Sequence, residues 1–87
     1  MENRGYWVYM LLCNDDTLYT GIAVDPYKRL EAHNRGLGAK YTKHRAPCKI
    51  VYLEEAVDRS EASKREWAIK QMPRSEKLNL IKNCRKL

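Results

Sequence analysis

Residues 6–21 of this chain read YWVYMLLCNDDTLYTG, and most of the predicted sheet follows from these residues. Residues 6–13 are rich in aromatic and β-branched side chains, which predicts a β-strand. Both the odd and the even positions of this strand are apolar, so we expect it to lie in the centre of a sheet, covered on both faces. The polar triplet at residues 14–16 interrupts the run, and residues 17–24 predict a second strand that forms a hairpin with the first.

The length of the hairpin loop fixes which side chains share a face of the sheet. A three-residue loop of this composition is typical of a type I turn followed by a left-handed residue, which would be Asp16. Pairing across that loop sets Tyr9 opposite Gly21, and Tyr9 and Tyr19 then emerge on one face. Gly21 has no side chain, so a ligand backbone could approach closely there. Tyrosines that share a face are more often packing residues than a site.

The composition restricts the class of protein. The chain has 87 residues, 44% of them hydrophobic, which is enough for one domain with one modest core. The formal net charge of +6 suits a polyanionic partner, most often nucleic acid, or an anionic membrane surface. No apolar run is long enough to span a membrane and none resembles a signal peptide, so we expect a cytoplasmic protein. The three cysteines are widely spaced, which favours reduced thiols over a zinc site or disulfides.

The next predicted element is a helix over residues 26–34, with Asp25 as its N-cap and a proline at its first position. Helical periodicity places Leu30 on the buried side of this helix. Arg29 and His33 are four residues apart and lie together on one flank of that side. By themselves, these two residues are more readily explained as a surface basic pair than as a site.

Residues 35–49 form a basic segment that contains no acidic residue. Its cations include Lys40, Lys43 and Arg45, and Tyr41 lies among them. A basic loop with an aromatic side chain can bind phosphate. A solvated loop whose charge only supports solubility explains the same residues equally well.

A second helix is predicted to begin at residues 58–60, capped by Asp58 or Ser60, and to run to about Gln71. A carboxylate on this helix is the least expected feature. Ala62, Glu66 and Ile69 share one face of this helix, with Glu66 near its centre. An ionised carboxylate on a buried face is costly unless it is paired or holds a metal. An ion pair, for which Arg29 is a candidate, metal ligation and a small error of helix phase are the alternatives.

A third strand over residues 48–56 and a last helix over residues 75–84, after Pro73, complete the prediction. Trp67 points away from Glu66 and is expected to pack against the last helix. The element order is therefore β-β-α-β-α-α. It predicts an α+β fold in which a small three-stranded antiparallel sheet is flanked by three helices.

Together these residues resemble the GIY-YIG nuclease domain. The resemblance is carried, in chain order, by Tyr9, by Tyr19-Thr20-Gly21, by Arg29 and His33 in the next helix, and by Glu66 in a later helix. The chain is especially similar to a short single-domain bacterial branch related to the nuclease module of the excinuclease subunit UvrC, which shares Ala-Lys-Tyr-Thr at residues 39–42. The resemblance covers roughly residues 5–84, so we expect one domain over residues 1–87.

The resemblance implies a role for each residue. Tyr19 would be the general base, or the group that activates the attacking water, and Tyr9 the motif tyrosine of the first strand. Arg29 would contact the scissile phosphate, and His33 falls where family members place a tyrosine or a histidine. Glu66 would bind one divalent metal ion, Mg or Mn. Because a free tyrosine has a pKa of about 10, an adjacent arginine and a metal-bound water are expected to lower the pKa of the base.

The chain departs from the family pattern in several places. Residues 7–9 read Trp-Val-Tyr where the family has Gly-Ile-Tyr, and Thr20 replaces an isoleucine. An asparagine that often follows the glutamate is either Asn79 or Asn83. Family nucleases usually carry a second domain that selects the DNA site, and we expect none here, so a separate DNA-targeting protein is a candidate partner.

The expected function is therefore a metal-dependent DNA endonuclease, active as a monomer on damaged, branched or structured DNA. The alternative is a non-catalytic nucleic-acid-binding module on the same fold, which would bind through the basic segment. Under either hypothesis the residues expected to contact nucleic acid are Gly21, Lys40, Lys43 and Arg45. A weaker third alternative is a protein-interaction domain in which the tyrosines only pack. Glu66 separates these hypotheses, because a binding module has no use for a carboxylate that repels phosphate.

Overall fold

The computed structural model describes residues 5–37 and 45–85 of the chain. The elements along these residues are β1 (Tyr6–Leu12), β2 (Leu18–Ala23), α1 (Pro26–Asn34), β3 (Lys49–Ala56), α2 (Arg59–Lys70) and α3 (Arg74–Lys82). The strands form an antiparallel sheet in the order β2-β1-β3. The predicted α+β fold and its element order are therefore confirmed.

Strand β1 is central because both of its faces are apolar. Val8 and Met10 are completely buried on one face, in a cluster with residues of α2 and α3. Tyr9 and Leu11 are buried on the other face, in a cluster that Leu30 of α1 packs against. The continuous apolar run therefore gives a strand that is covered on both sides, as predicted.

The hairpin has the predicted loop and register. Asp16 adopts the left-handed conformation, with φ of 67°, which a short polar side chain tolerates. Tyr9 pairs with Gly21 across β1 and β2, and Leu11 pairs with Tyr19. The two tyrosines consequently lie on the same face of the sheet, with ring centroids 6.3 Å apart.

Helix α1 begins and ends as predicted, but it is rotated about its axis. The Asp25 carboxylate accepts hydrogen bonds from two backbone N–H groups of the first turn, each at 3.1 Å, and Gly36 after the helix has φ of 76°. The prediction placed Leu30 at the centre of the buried side and His33 on a flank. In the structure Pro26 and His33 are buried while Leu30 is half-buried. A hydrogen bond to the Tyr9 hydroxyl satisfies the imidazole of His33 and permits its burial.

Helices α2 and α3 cover the opposite face of the sheet. Ala62 and Ile69 of α2 are completely buried there, and Leu80 of α3 packs against the same cluster. The prediction that Trp67 packs against α3 is wrong, since this side chain is 67% exposed. Leu80 and Ile81 of α3 instead pack against the cluster that Ile69 occupies.

A polar network ties α2 to the edge strand β3. The Arg65 Nε–H group donates to both carboxylate oxygens of Glu54 at 3.0 Å. The Tyr52 hydroxyl donates to the same carboxylate. Burial, and then this bond to Glu54, raise the pKa of Tyr52 to about 12. These groups hold the two elements together on the far side of the sheet from the two tyrosines of the hairpin.

The cysteines are all free. Cys13 and Cys48 are buried beside each other, and burial together with the neighbouring thiol raises the pKa of Cys48 to about 12. Such a thiol is unreactive at neutral pH, and the free cysteines agree with the predicted reduced thiols. Across residues 5–37 and 45–85, no helix combines the length and the apolar character that crossing a membrane requires.

Candidate active site

Three aromatic rings from three different elements meet on one face of the sheet. They are Tyr9 of β1, Tyr19 of β2 and His33 of α1. The ring centroids of Tyr9 and His33 are 6.1 Å apart, and those of Tyr19 and His33 are 5.1 Å apart. The rings are tilted or edge-on to one another, as aromatic pairs prefer. The hairpin register and the position of α1 together bring these predicted residues into one cluster.

Tyr9 and His33 form a buried hydrogen bond. The Tyr9 hydroxyl lies 3.0 Å from Nε2 of His33, and the two residues are 1% and 0% exposed. Burial, and then the positive charge of Arg29, lower the pKa of His33 below its usual value, so the imidazole is neutral at pH 7. In the neutral tautomer with its proton on Nδ1, Nε2 accepts a hydrogen bond from the Tyr9 hydroxyl, and in the other tautomer Nε2–H donates to that oxygen. His33 is therefore no surface residue, and that interpretation of it is excluded.

Gly21 makes room for the Tyr9 side chain. A Cβ atom at this position would lie 2.6 Å from the Tyr9 hydroxyl oxygen and 3.1 Å from Cε2 of Tyr19. We expected the missing side chain to leave space for a ligand, but the Tyr9 ring fills that space. Whether Gly21 also contacts nucleic acid stays a prediction. Gly21 of β2 thus makes room for the side chain of Tyr9, its pairing partner on β1.

The pKa values of both tyrosines lie above their ordinary values. Burial is the main cause for each, and for Tyr9 the neighbouring Tyr19 phenol adds to it. The Arg29 guanidinium acts in the opposite direction on both, as expected from its position, but burial outweighs it. The expected net lowering of the pKa of the base is therefore absent from the protein alone. The extent of burial, which decides the sign, depends on packing that sequence does not reveal.

Glu66 lies at the edge of the same site. Its helix α2 packs against β2, the edge strand that carries Tyr19. The carboxylate is close enough to raise the pKa of Tyr9 and of Tyr19. Its side chain is 23% exposed and forms an ion pair with Lys70 at 3.1 Å. Of the alternatives left open by the sequence, an ion pair is thus present, with Lys70 in place of Arg29.

The donor atoms around Glu66 suit a weakly held, hard divalent ion. Within the described part of the chain, no group of three or more His, Cys, Asp or Glu side chains is placed to hold a metal. Magnesium is commonly bound by one or two carboxylates and otherwise by waters and substrate phosphates. A single carboxylate beside two phenols fits such an ion, whereas it provides too few ligands for a structural zinc site.

The remaining predicted residues are placed as follows. Lys40 and Lys43 lie outside the described residues. Arg45 forms an ion pair with Asp15 of the hairpin loop, and its carbonyl accepts the N–H of Asn14 at 2.8 Å. Its side chain is thus fixed beside the loop, and the prediction that it binds nucleic acid remains untested.

The two asparagine candidates lie on the last helix and at its end. Asn79 is exposed on α3, and Asn83 is the exposed C-cap residue of that helix. Helix α3 packs in the cluster on the opposite face of the sheet from the tyrosine pair. The structure therefore places neither asparagine beside the aromatic rings.

Two residues with structural links to the site were missed by the sequence analysis. Lys70 is one, and its spacing of four residues from Glu66 on a helix was the available signal. Asn34 is the other. Its side-chain amide donates to the carbonyl of Cys48 at 3.1 Å and accepts the Cys48 N–H at 2.6 Å. This pair of bonds ties the end of α1, next to His33, to the residue before β3.

A comparison with protein families covers the same elements. Residues 5–79 match the GIY-YIG catalytic domain. The chain belongs to the GIY-YIG family. The match extends from the residue before β1 into α3 and includes every member of the aromatic cluster, together with Arg29 and Glu66. The family resemblance predicted from the sequence is confirmed.

Several similar proteins of comparable length carry the name UPF0213. A UPF0213 protein of Staphylococcus aureus is 53% identical over 77 residues, which are 88% of this chain and 94% of that protein. The solution structure of the UPF0213 protein BH0048 from Bacillus halodurans has a TM-score of 0.58 at 35% identity, covering 90% of this chain and 83% of that chain. The protein EF2693 from E. faecalis has a TM-score of 0.62 at 40% identity, covering 94% and 88%. The GIY-YIG chain described here is thus similar to short bacterial proteins.

Proposed function

We propose that this GIY-YIG domain is a metal-dependent endonuclease that hydrolyses phosphodiester bonds in damaged, branched or otherwise structured DNA. Membership of a family of nuclease domains suggests an endonuclease. The observation that supports catalysis in this chain is the cluster of Tyr9, Tyr19 and His33, on which a cation and a carboxylate act together. A cluster that served only packing would have no need of Arg29 and Glu66 beside it.

The two tyrosines have different roles in this proposal. Tyr9 is almost completely buried, whereas Tyr19 is half-buried, so an attacking water reaches Tyr19. Tyr19, once ionised to the phenolate, accepts the proton of that water and becomes the neutral phenol, and Tyr9 is a positioning residue whose hydroxyl is held by His33. A phenol with a raised pKa is a strong base once ionised but is rarely ionised at neutral pH. Cations near the Tyr19 hydroxyl are therefore needed to stabilise its phenolate.

Three positive charges are available for that purpose. Arg29 and Lys70 both act to lower the pKa of Tyr19. Glu66 would hold a divalent ion, Mg or Mn, which when bound supplies Lewis-acid stabilisation of charge on the phosphoryl oxygens. Arg29 is exposed, so its guanidinium can also contact the phosphate with paired hydrogen bonds. Fixed positive charge lowers the barrier to hydrolysis most when it lies next to the phosphoryl oxygens on which negative charge develops in the transition state.

DNA is the proposed partner because the chain carries a net charge of +6. In this proposal Lys40, Lys43 and Arg45 of the basic segment contact the DNA backbone. We further propose that the domain acts as a monomer in the cytoplasm. A separate DNA-targeting protein would then direct it to its site.

Replacing Glu66 tests the proposal. We expect Glu66→Gln to abolish metal-dependent cleavage of a panel of duplex, nicked and branched DNAs, because the amide no longer holds the ion. Glu61→Gln is the matched control, since Glu61 lies on the same helix, 57% exposed, in an ion pair with Lys64. This control removes the same charge and should cleave like the wild type. Amide spectra of both variants establish that they are folded, and cleavage by folded Glu66→Gln would reject the metal-ligand role.

A non-catalytic nucleic-acid-binding module is the second candidate. The observation that favours it is the ion pair with Lys70, which neutralises Glu66 without a metal. This hypothesis predicts salt-sensitive, metal-independent binding that Lys40→Ala and Lys43→Ala weaken and Glu66→Gln does not. Binding with these properties, combined with no cleavage of any DNA in Mg or Mn, would replace the endonuclease proposal by this one.

A further inference from the structure

Lys70 forms an ion pair with the Glu66 carboxylate at the candidate active site. Its Nζ atom lies 3.1 Å from a carboxylate oxygen of Glu66, one helical turn earlier on α2. The lysine side chain is 49% exposed and the glutamate side chain 23% exposed. Lys70 also acts on Tyr19, as the largest influence that lowers the pKa of this tyrosine. The ammonium group therefore lies beside Glu66 at the edge of the candidate active site.

A second ion pair on the same helix shows what an ordinary surface pair looks like here. Glu61 and Lys64 approach to 3.5 Å, with side chains 57% and 73% exposed. Neither residue is among the charges that act on Tyr9 or Tyr19. Pairs of this kind contribute little to stability in water. The Glu66–Lys70 pair differs because it is closer, less exposed and beside the tyrosines.

We propose that Lys70 holds the Glu66 carboxylate in the metal-free protein and gives it up to the divalent ion, so that Lys70 sets the metal affinity of the site. The inference rests on the proposed function, because it takes Glu66 as the metal ligand. An ammonium group and a divalent cation compete for one carboxylate, and the ammonium leaves as the ion binds because like charges repel. Lys70 is thus a positioning residue whose partner changes during the reaction cycle.

The exchange also connects metal binding to DNA binding. Once released from Glu66, the Lys70 ammonium is free to bind a phosphate oxygen near Tyr19. A phosphate that attracts Lys70 therefore also frees Glu66 for the ion, and each ligand increases the affinity for the other. The pair keeps the carboxylate neutralised in the metal-free protein, which prevents Glu66 from repelling the approaching DNA backbone.

The test compares Lys70→Met with Lys64→Met in the whole chain. Each variant removes one lysine charge from α2, but only the first removes the partner of Glu66. Titration with magnesium chloride at pH 7 and constant ionic strength is followed through the backbone amide shifts of Glu66 and Tyr19. We expect Lys70→Met to bind the ion about two- to tenfold more tightly than the wild type, since the carboxylate is no longer occupied. The affinity of Lys64→Met should stay within about twofold of the wild type.

A second measurement follows the lysine directly. The side-chain Cε and Nζ resonances of Lys70 in the wild type should shift along the same saturation curve as the amides, while those of Lys64 remain still. Lys70→Gln provides a second uncharged variant should Lys70→Met prove unfolded. Glu66→Gln should remove the metal-induced shifts at both positions.

The outcomes separate the inference from the proposed function. Saturable shifts at Glu66 with equal affinity in the wild type and Lys70→Met would overturn the inference and leave the metal-ligand role of Glu66 intact. Shifts at Glu66 in none of the proteins, with magnesium or manganese and with a DNA duplex present, would overturn both. Tighter binding by Lys70→Met, unchanged binding by Lys64→Met and a moving Lys70 resonance would establish the exchange.

Discussion

At the scale of single residues, the tyrosine pair was predictable because it depends on local geometry. A three-residue loop and a side-chain period of two are enough to place Tyr9 and Tyr19 on one face. The sign of their pKa shifts was not predictable, since burial outweighs the charge of Arg29. Burial depends on elements that lie far apart in the sequence. For the same reason, the sequence alone does not reveal that Gly21 makes room for the Tyr9 ring.

Gly21→Ala tests this contact. Its Cβ would lie within 2.7 Å of two Tyr9 atoms, so the ring must move away from His33 and from its place beside Tyr19. We expect a loss of stability of about 1–3 kcal/mol, as for other overpacked sites, and a fall in cleavage rate of about 100-fold. Urea unfolding and cleavage kinetics measure the two effects.

The matched control for this prediction is Gly5→Ala. A Cβ there would lie 3.2 Å from the carbonyl oxygen of Ala56, away from the aromatic cluster. This variant should cleave DNA at the wild-type rate. An alanine at position 21 that left both the Tyr9–His33 hydrogen bond and the cleavage rate unchanged would show that the glycine has no positioning role.

At the scale of elements, the boundaries of α1 could be predicted from its capping residues. Its rotation about its own axis could not. Asp25 and the residues after it define the start of α1 in the sequence, because capping is a local interaction. The rotation of α1 depends on the hydrogen bond between His33 and Tyr9 and on the two bonds between Asn34 and Cys48. These contacts join the helix to β1 and to the start of β3. A hydrophobicity pattern, which ranks histidine as polar, therefore placed His33 on a flank of the buried side although it is completely buried.

The docking of α1 should make the stability of the fold depend on pH. The pKa of His33 is lower in the folded protein than its ordinary value of about 6.5. Because the unfolded chain binds a proton more readily, stability is greatest above that value and falls as the pH drops from about 6.5 towards the folded pKa. The loss amounts to about 1.4 kcal/mol for each unit by which the two pKa values differ.

Urea unfolding at pH 7.5 and pH 5.5 measures this effect. The control is His33→Gln, whose amide can still bond to the Tyr9 hydroxyl but does not titrate in this range. The wild type should lose more free energy of unfolding than this variant between the two pH values. Equal losses would mean that the burial of His33 does not link α1 docking to its protonation.

At the scale of the whole molecule, the net charge can be read directly from the sequence, whereas the fold determines where the charged groups lie. Of the 87 residues, 17 are Lys or Arg and 11 are Asp or Glu. Several cations near the sheet are already engaged, since Arg45, Arg65 and Lys70 form ion pairs with carboxylates. The lysines of the basic segment therefore become the main candidates for contacts that hold DNA, although Lys40 and Lys43 lie outside the described residues.

The salt dependence of DNA binding tests this division of the charge. For a protein that neutralises phosphates, the logarithm of the binding constant falls with the logarithm of the salt concentration, by about 0.9 for each phosphate of duplex DNA. We expect Lys40→Ala and Lys43→Ala each to reduce this slope by about 0.9. Lys82→Ala, at the end of α3, is the matched control and should leave the slope unchanged. Fluorescence anisotropy in EDTA, between about 50 and 200 mM KCl, measures the slope without cleavage. Equal slopes for all three variants would place the DNA-binding surface elsewhere on the molecule.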